Sequence, residues 1–144
     1  MMDTNRRDFI KKSCGLCASI VGISILAPAL QSCSTLTYVQ PEFSQGQFSL
    51  PISSFIENSN LVIVQNKSLD YDIAVVKGKD GTFRSFELKC THQDNSLIAT
   101  QTGFHCSLHG SSFSLSGKVN NAPATTNLKE FKTTLNSGII QISL

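Results

Sequence analysis

Methionine is nearly absent from this chain: Met1 and Met2 are its only two, and none follows them. A copper site built on one cysteine and a nearby methionine therefore has no methionine to use. Cysteine is scarce beyond the N-terminal region. Of five, Cys14 and Cys17 fall within the first 32 residues, Cys33 follows directly, and only Cys90 and Cys106 remain. Excess charge is missing too. Four of the twelve basic residues and two of the ten acidic ones lie before Cys33, which leaves eight of each sign. With no net charge and no basic cluster interleaved with aromatics, nucleic acid is set aside as a partner. Also lacking, after Cys33, is any sustained apolar spacing of 3.6 residues, so helices are not expected there.

What is present begins with a leader. Asn5-Arg6-Arg7-Asp8-Phe9-Ile10-Lys11-Lys12 precedes an uncharged stretch from Ser13 to Leu30. A basic start, an apolar middle and a small-residue end make a secretory signal. The arginine pair followed by x-Phe-Ile-Lys resembles a twin-arginine export signal, which is a receptor-read address and not an anchor. Leu30-Gln31-Ser32-Cys33 resembles a bacterial lipobox. On that reading residues 1–32 are removed and Cys33 becomes an acylated N-terminus. Each buried methylene contributes about 0.8 kcal/mol, so two or three acyl chains hold a domain at a membrane. The competing reading is an uncleaved spanning helix, for which about 17–25 apolar residues are needed. Gly15, Gly22 and Pro28 make this stretch a poor one. Either way the domain is expected outside the bacterial cytoplasm, on the periplasmic or cell-surface side. Cys14-Gly15-Leu16-Cys17 is read as incidental, since it lies in an apolar leader without a second pair.

Residues 33–46, polar with Pro41 and Gly46, read as a tether, and 47–144 as one folded domain. Tyr71–Lys77 and Thr82–Leu88 flank Gly78-Lys79-Asp80-Gly81, a hairpin pattern. Leu128–Leu135 and Ile139–Ile142 flank Asn136-Ser137-Gly138 and form a second. In Thr82–Leu88 both alternating sets contain aromatics, which predicts a face change or a bulge. Short strands with frequent turns predict an all-β fold, an antiparallel β-sandwich or barrel.

Between the hairpins stand Cys90-Thr91-His92 and Cys106-Ser107-Leu108-His109-Gly110-Ser111. Four readings compete at this point. An exported protein could bridge the two cysteines. The pair of loops could hold tetrahedral zinc as Cys2His2, or copper, against which the missing methionine counts. Or two thiolates could hold one iron and two imidazoles the other in a 2Fe–2S cluster. The order of residues favours the last. Both loops begin with Cys and end with His, so facing loops segregate sulfur from nitrogen, as a two-metal cluster needs.

Here the chain resembles the Rieske family. Cys90-Thr91-His92 and Cys106-x-x-His109-Gly110-Ser111 match its paired ligand loops, and Phe113–Val119, Ala122-Pro123-Ala124 and Asp80-Gly81-Thr82-Phe83 match flanking segments. The likeness covers residues 48–144, with a cluster-binding part about 88–118. It implies a Rieske-type β-sandwich with a small cluster-binding subdomain, and one 2Fe–2S cluster on Cys90, His92, Cys106 and His109. Three departures stand out. Only thirteen residues separate His92 from Cys106. Where quinol-oxidising relatives carry a bracing disulfide, this chain has Asn95 and Leu108. Phe113 stands where those relatives have a tyrosine that bonds a ligand sulfur, while the hydroxyl donor Ser111 is kept.

The resemblance further implies one-electron transfer at a potential within about −150 to +300 mV, in the lower or middle part given Phe113. The free N–H groups of His92 and His109 would meet a partner and couple electron to proton. His105 reads as an ordinary side chain, and Phe104, Leu108 and Phe113 as shielding for the cluster or, equally, as plain core. No catalytic residue is expected. The partner is a redox protein or a quinol, with the membrane held through Cys33. A stand-alone carrier is expected; the alternative is a subunit of a quinol or molybdenum oxidoreductase complex. An oxygenase would need a further domain with a two-His-one-carboxylate iron site, for which 144 residues leave no room.

Overall fold

The computed structural model describes residues 36–57 and 59–144. The export motif, the two leader cysteines and Cys33 lie outside the described residues.

Twelve strands and one short 3₁₀ turn (Ile52–Ser54) make up the described residues. They are β1 (Thr37–Val39), β2 (Phe43–Ser44), β3 (Gln47–Pro51), β4 (Leu61–Val64), β5 (Ile73–Lys77) and β6 (Phe83–Glu87), then β7 (Ile98–Thr100), β8 (Gly103–His105), β9 (Ser112–Ser114), β10 (Val119–Asn121), β11 (Glu130–Asn136) and β12 (Ile139–Ser143). The expected all-β class is what forms. Eight strands make one sheet in the order β1-β4-β5-β6-β11-β12-β3-β2, and four make a second in the order β10-β9-β8-β7.

The large sheet curls. Its first and last strands, β1 and β2, are separated in sequence by residues 40–42 alone. So short a link spans at most about 14 Å at 3.3–3.6 Å per residue, so the two edges must approach each other. The interior of this curl is filled by alternate residues, Phe48 and Leu50, Val62 and Val64, Ile73 and Val75, Ile140 and Ile142, together with Phe83 and Phe131. The opposite face of β4–β6 carries Leu61, Ile63, Ala74, Val76 and Phe86, and against it packs the small sheet with Phe104 and Phe113.

That arrangement resolves the ambiguous β6 pattern. Its pairing with β5 is regular from Ile73↔Glu87 to Lys77↔Phe83, with no bulge. Aromatics occupy both faces because both faces are covered: Phe83 enters the curl and Phe86 meets the small sheet. The two hairpins form where expected. In the second, Asn136 pairs with Ile139 across Ser137 and Gly138, whose φ values of 48° and 80° make a two-residue turn matched to strand twist.

Two differences from expectation appear. Residues 37–39 and 43–44, inside the stretch read as a tether, are strands, so the sheet begins at Thr37 rather than at residue 47. One pair, β1 with β4, is parallel (Tyr38↔Ile63), whereas an antiparallel fold was expected. Both short strands fill open edges of the sheet: β4 has one side taken by β5 and β3 has one side taken by β12, and β1 and β2 pair with the sides left over.

Candidate metal centre

The two cysteine loops project from the small sheet and from the end of β6. Loop 1, Cys90–Asn95, is closed by the Cys90 N–H donating to the Asn95 carbonyl at 2.8 Å, above an isolated Lys89↔Ser96 bridge. Loop 2, Cys106–Ser111, joins β8 to β9 and is closed in the same way, Cys106 N–H to the Ser111 carbonyl at 2.8 Å. Within it the Gly110 N–H donates to the Cys106 carbonyl at 3.1 Å, and the φ of +80° at Gly110 is one that glycine adopts without strain.

The same closure at both loops gives the same outcome. Cys90 and Cys106 are each 2% exposed and share the core behind the small sheet. They are not bridged. His92 and His109 are exposed, with ring centroids 5.0 Å apart and planes at 89°. Sulfur faces inward and imidazole faces solvent, the segregation the sequence order predicts. Among the described residues, no three His, Cys, Asp or Glu side chains converge as they would around a single ion. A cleft of about 320 Å³ opens beside loop 1, bordered by Cys90, His92, Thr126 and Lys129.

Burial opposes ionisation of Cys106, but donors outweigh it. The Asn95 amide, the backbone N–H groups of Leu108 and His109 and the Cys90 thiol all bond its sulfur and hold its pKa below the ordinary thiol value. A site that favours thiolate is one that suits metal.

Behind the loops, Ser111 is fully buried and its Oγ accepts the Ala124 N–H at 3.0 Å, which ties the Ala122-Pro123-Ala124 segment to loop 2. Phe113 is 1% exposed and lies in the same core as both cysteines. Further ties fix the tip: Thr91 Oγ1 to the Thr126 carbonyl at 2.6 Å, and Asn121 Nδ2 to the Gly110 carbonyl at 3.2 Å. His105 is exposed on β8, beside the loop and facing away from the core, as expected of an ordinary side chain. Leu108 is not part of the buried core. It is 54% exposed, because residues 107–110 form the outermost turn of loop 2.

A family model described as the Rieske [2Fe-2S] domain matches residues 53–132. The chain belongs to this family. As a Rieske domain it binds one 2Fe–2S cluster and transfers electrons. The fold is shared with solved structures. The cyanobacterial plasma membrane Rieske protein PetC3 from Synechocystis PCC 6803 is 24% identical, over 59% of this chain and 87% of that one, with a TM-score of 0.51. A complex of reduced oxygenase and oxidised ferredoxin in carbazole 1,9a-dioxygenase contains a chain 21% identical, over 69% and 94%, with a TM-score of 0.52. Naphthalene 1,2-dioxygenase is 23% identical with a TM-score of 0.56, but the match covers only 26% of that chain. Among curated proteins none matches.

One contact was not visible from spacing. Asn95, notable in the sequence only as a position without a bracing cysteine, sends its side-chain amide across to the Cys106 sulfur.

Proposed function

We propose that Cys90 and Cys106 hold one iron of the Rieske cluster and His92 and His109 the other. The observation that carries this is the pairing of two buried, unbridged sulfurs with two exposed imidazoles on identically closed loops. Such a cluster supplies a one-electron couple at a higher potential than an all-thiolate one, because two neutral imidazoles replace two negative charges. The core around Cys90 and Cys106 keeps water from the sulfur side, and on this reading the retained Ser111 would supply a hydroxyl donor to it, as the family resemblance implies.

The domain on this reading is an electron-transfer protein tethered by a lipid at Cys33 to the outer side of the cytoplasmic membrane. Support for the tether is the Arg6-Arg7 motif and the Leu30–Cys33 lipobox, both outside the described residues. No described helix is long and apolar enough to cross a membrane. Its electrons pass to or from a redox protein or a quinol docking at the His92 and His109 edge. The second reading, a subunit of a quinol or molybdenum oxidoreductase complex, is favoured by the exposed His92 and His109 edge, which a larger partner could cover.

Anaerobically purified protein should be red-brown, contain two irons per chain, and after reduction give the electron paramagnetic signal of a His-ligated cluster. Replacing His92 or His109 should abolish that signal. A colourless protein holding one zinc would refute the ligand assignment.

A further inference from the structure

Asn95 touches both cysteine loops. Its carbonyl closes loop 1 by accepting the Cys90 N–H at 2.8 Å. Its side chain leaves that loop, and Nδ2 lies 3.3 Å from Cys106 Sγ and 3.1 Å from the Ser96 carbonyl. The two hydrogens of the amide thus have two acceptors. Reversing the amide would set its oxygen against a carbonyl and a sulfur, and a metal-bound thiolate has no hydrogen to offer. The orientation is therefore dictated by the acceptors. Of the other groups that bear on this sulfur, the Leu108 and His109 N–H groups belong to loop 2 itself, and the Cys90 thiol is a proposed ligand with no proton once metal is bound. Asn95 alone sends a side-chain amide from the opposite loop, among the described residues. Its backbone is held in turn by the Lys89↔Ser96 bridge and by the Lys89–Asp94 ion pair of 3.0 Å.

We propose that Asn95 is a positioning residue of the cluster: its amide spans the two loops, keeps them in register, and raises the reduction potential through an N–H···S bond to Cys106. The proposal rests on the reading of Cys106 as a cluster ligand. Reduction adds negative charge that is shared by the ligand sulfurs, so a donor to sulfur stabilises the reduced form more than the oxidised one. The same bond draws electron density from sulfur and weakens its bond to iron.

The test uses the cluster-loaded full chain with Asn95→Ala, Asn95→Asp and Cys106→Ser. Asn95→Ala removes the donor and should lower the potential by about tenfold in equilibrium constant, or roughly 59 mV for one electron. Asn95→Asp keeps the shape but sets a carboxylate against the sulfur, so its potential should fall further. In both, resonance Raman should show the iron–cysteine stretch moving to higher frequency. Loss of the cluster from both variants, with the metal-free chain folded as the parent, also supports the inter-loop tie. An unchanged potential and Raman spectrum in both overturns the proposal, as does failure of both metal-free chains to fold, which assigns Asn95 to structure alone. Cys106→Ser separates the two claims. If it keeps an unaltered cluster, the ligand reading itself fails; if it loses the cluster while the Asn95 variants match the parent, only this inference does.

Discussion

Ser111 and Phe113 stand two residues apart behind loop 2 and should answer substitution differently. Ser111→Ala leaves the buried Ala124 N–H without its acceptor, which costs about 1–3 kcal/mol. If Ser111 also donates to a ligand sulfur, as proposed, the potential should fall as well. Phe113→Tyr adds a hydroxyl to a ring that is 1% exposed in the cysteine core. If that hydroxyl reaches a ligand sulfur, voltammetry should show a rise of some tens of millivolts, on the scale of about 59 mV per tenfold. If it finds no partner, a buried unsatisfied group lowers stability with no shift in potential. At this scale the sequence was informative about residue types and silent about direction. Cysteine before histidine in each loop announced the segregated site. Nothing in the spacing announced that Asn95 crosses between loops or that Leu108 faces solvent, because loop side chains take their direction from three-dimensional closure and not from a period.

Among the elements, the joint between the sheets depends on Gly117. This residue follows β9 with a φ of +74°, and a Cβ placed on it would lie 2.6 Å from a ring carbon of Phe86 on β6. Its N–H donates to the Ser114 carbonyl, and its carbonyl accepts the Leu128 N–H, both at 2.9 Å. Small and large sheets therefore meet through a position with no room for a methyl group. Gly117→Ala should cost several kcal/mol through the unfavourable φ and the forced shift of Phe86. Thermal unfolding would show it as a large drop in Tm, whereas the same change at the open Gly46 should cost only its backbone strain. The hairpins around Asp80-Gly81 and Ser137-Gly138 were legible because turn chemistry is local. The β1–β4 pair was not: a three-residue strand carries too little pattern to mark it, and its partner lies more than twenty residues away.

For the whole molecule, one core lies inside the curled sheet and a second holds the cysteines, so the site is built on an already buried face of β4–β6. The proposed membrane tether is tested on the intact chain. Changing Arg6 and Arg7 together to Lys should strand the protein in the cytoplasm on fractionation. Cys33→Ala should abolish fatty-acid labelling and leave the leader attached, seen as a higher mass. A native protein that is unlabelled and uncleaved would instead support an anchoring helix. The all-β class, the two strong hairpins and the four residues proposed as ligands could be read without any coordinates, since each rests on local alternation, local turns or short fixed spacings. Curling of the large sheet, burial of β4 and β5 on both faces, the entry of Thr37–Val39 into the sheet and the Asn95–Cys106 contact required the folded chain. Each depends on how separate elements come together, and such pairings are selected by which surfaces are left to cover once the local elements exist.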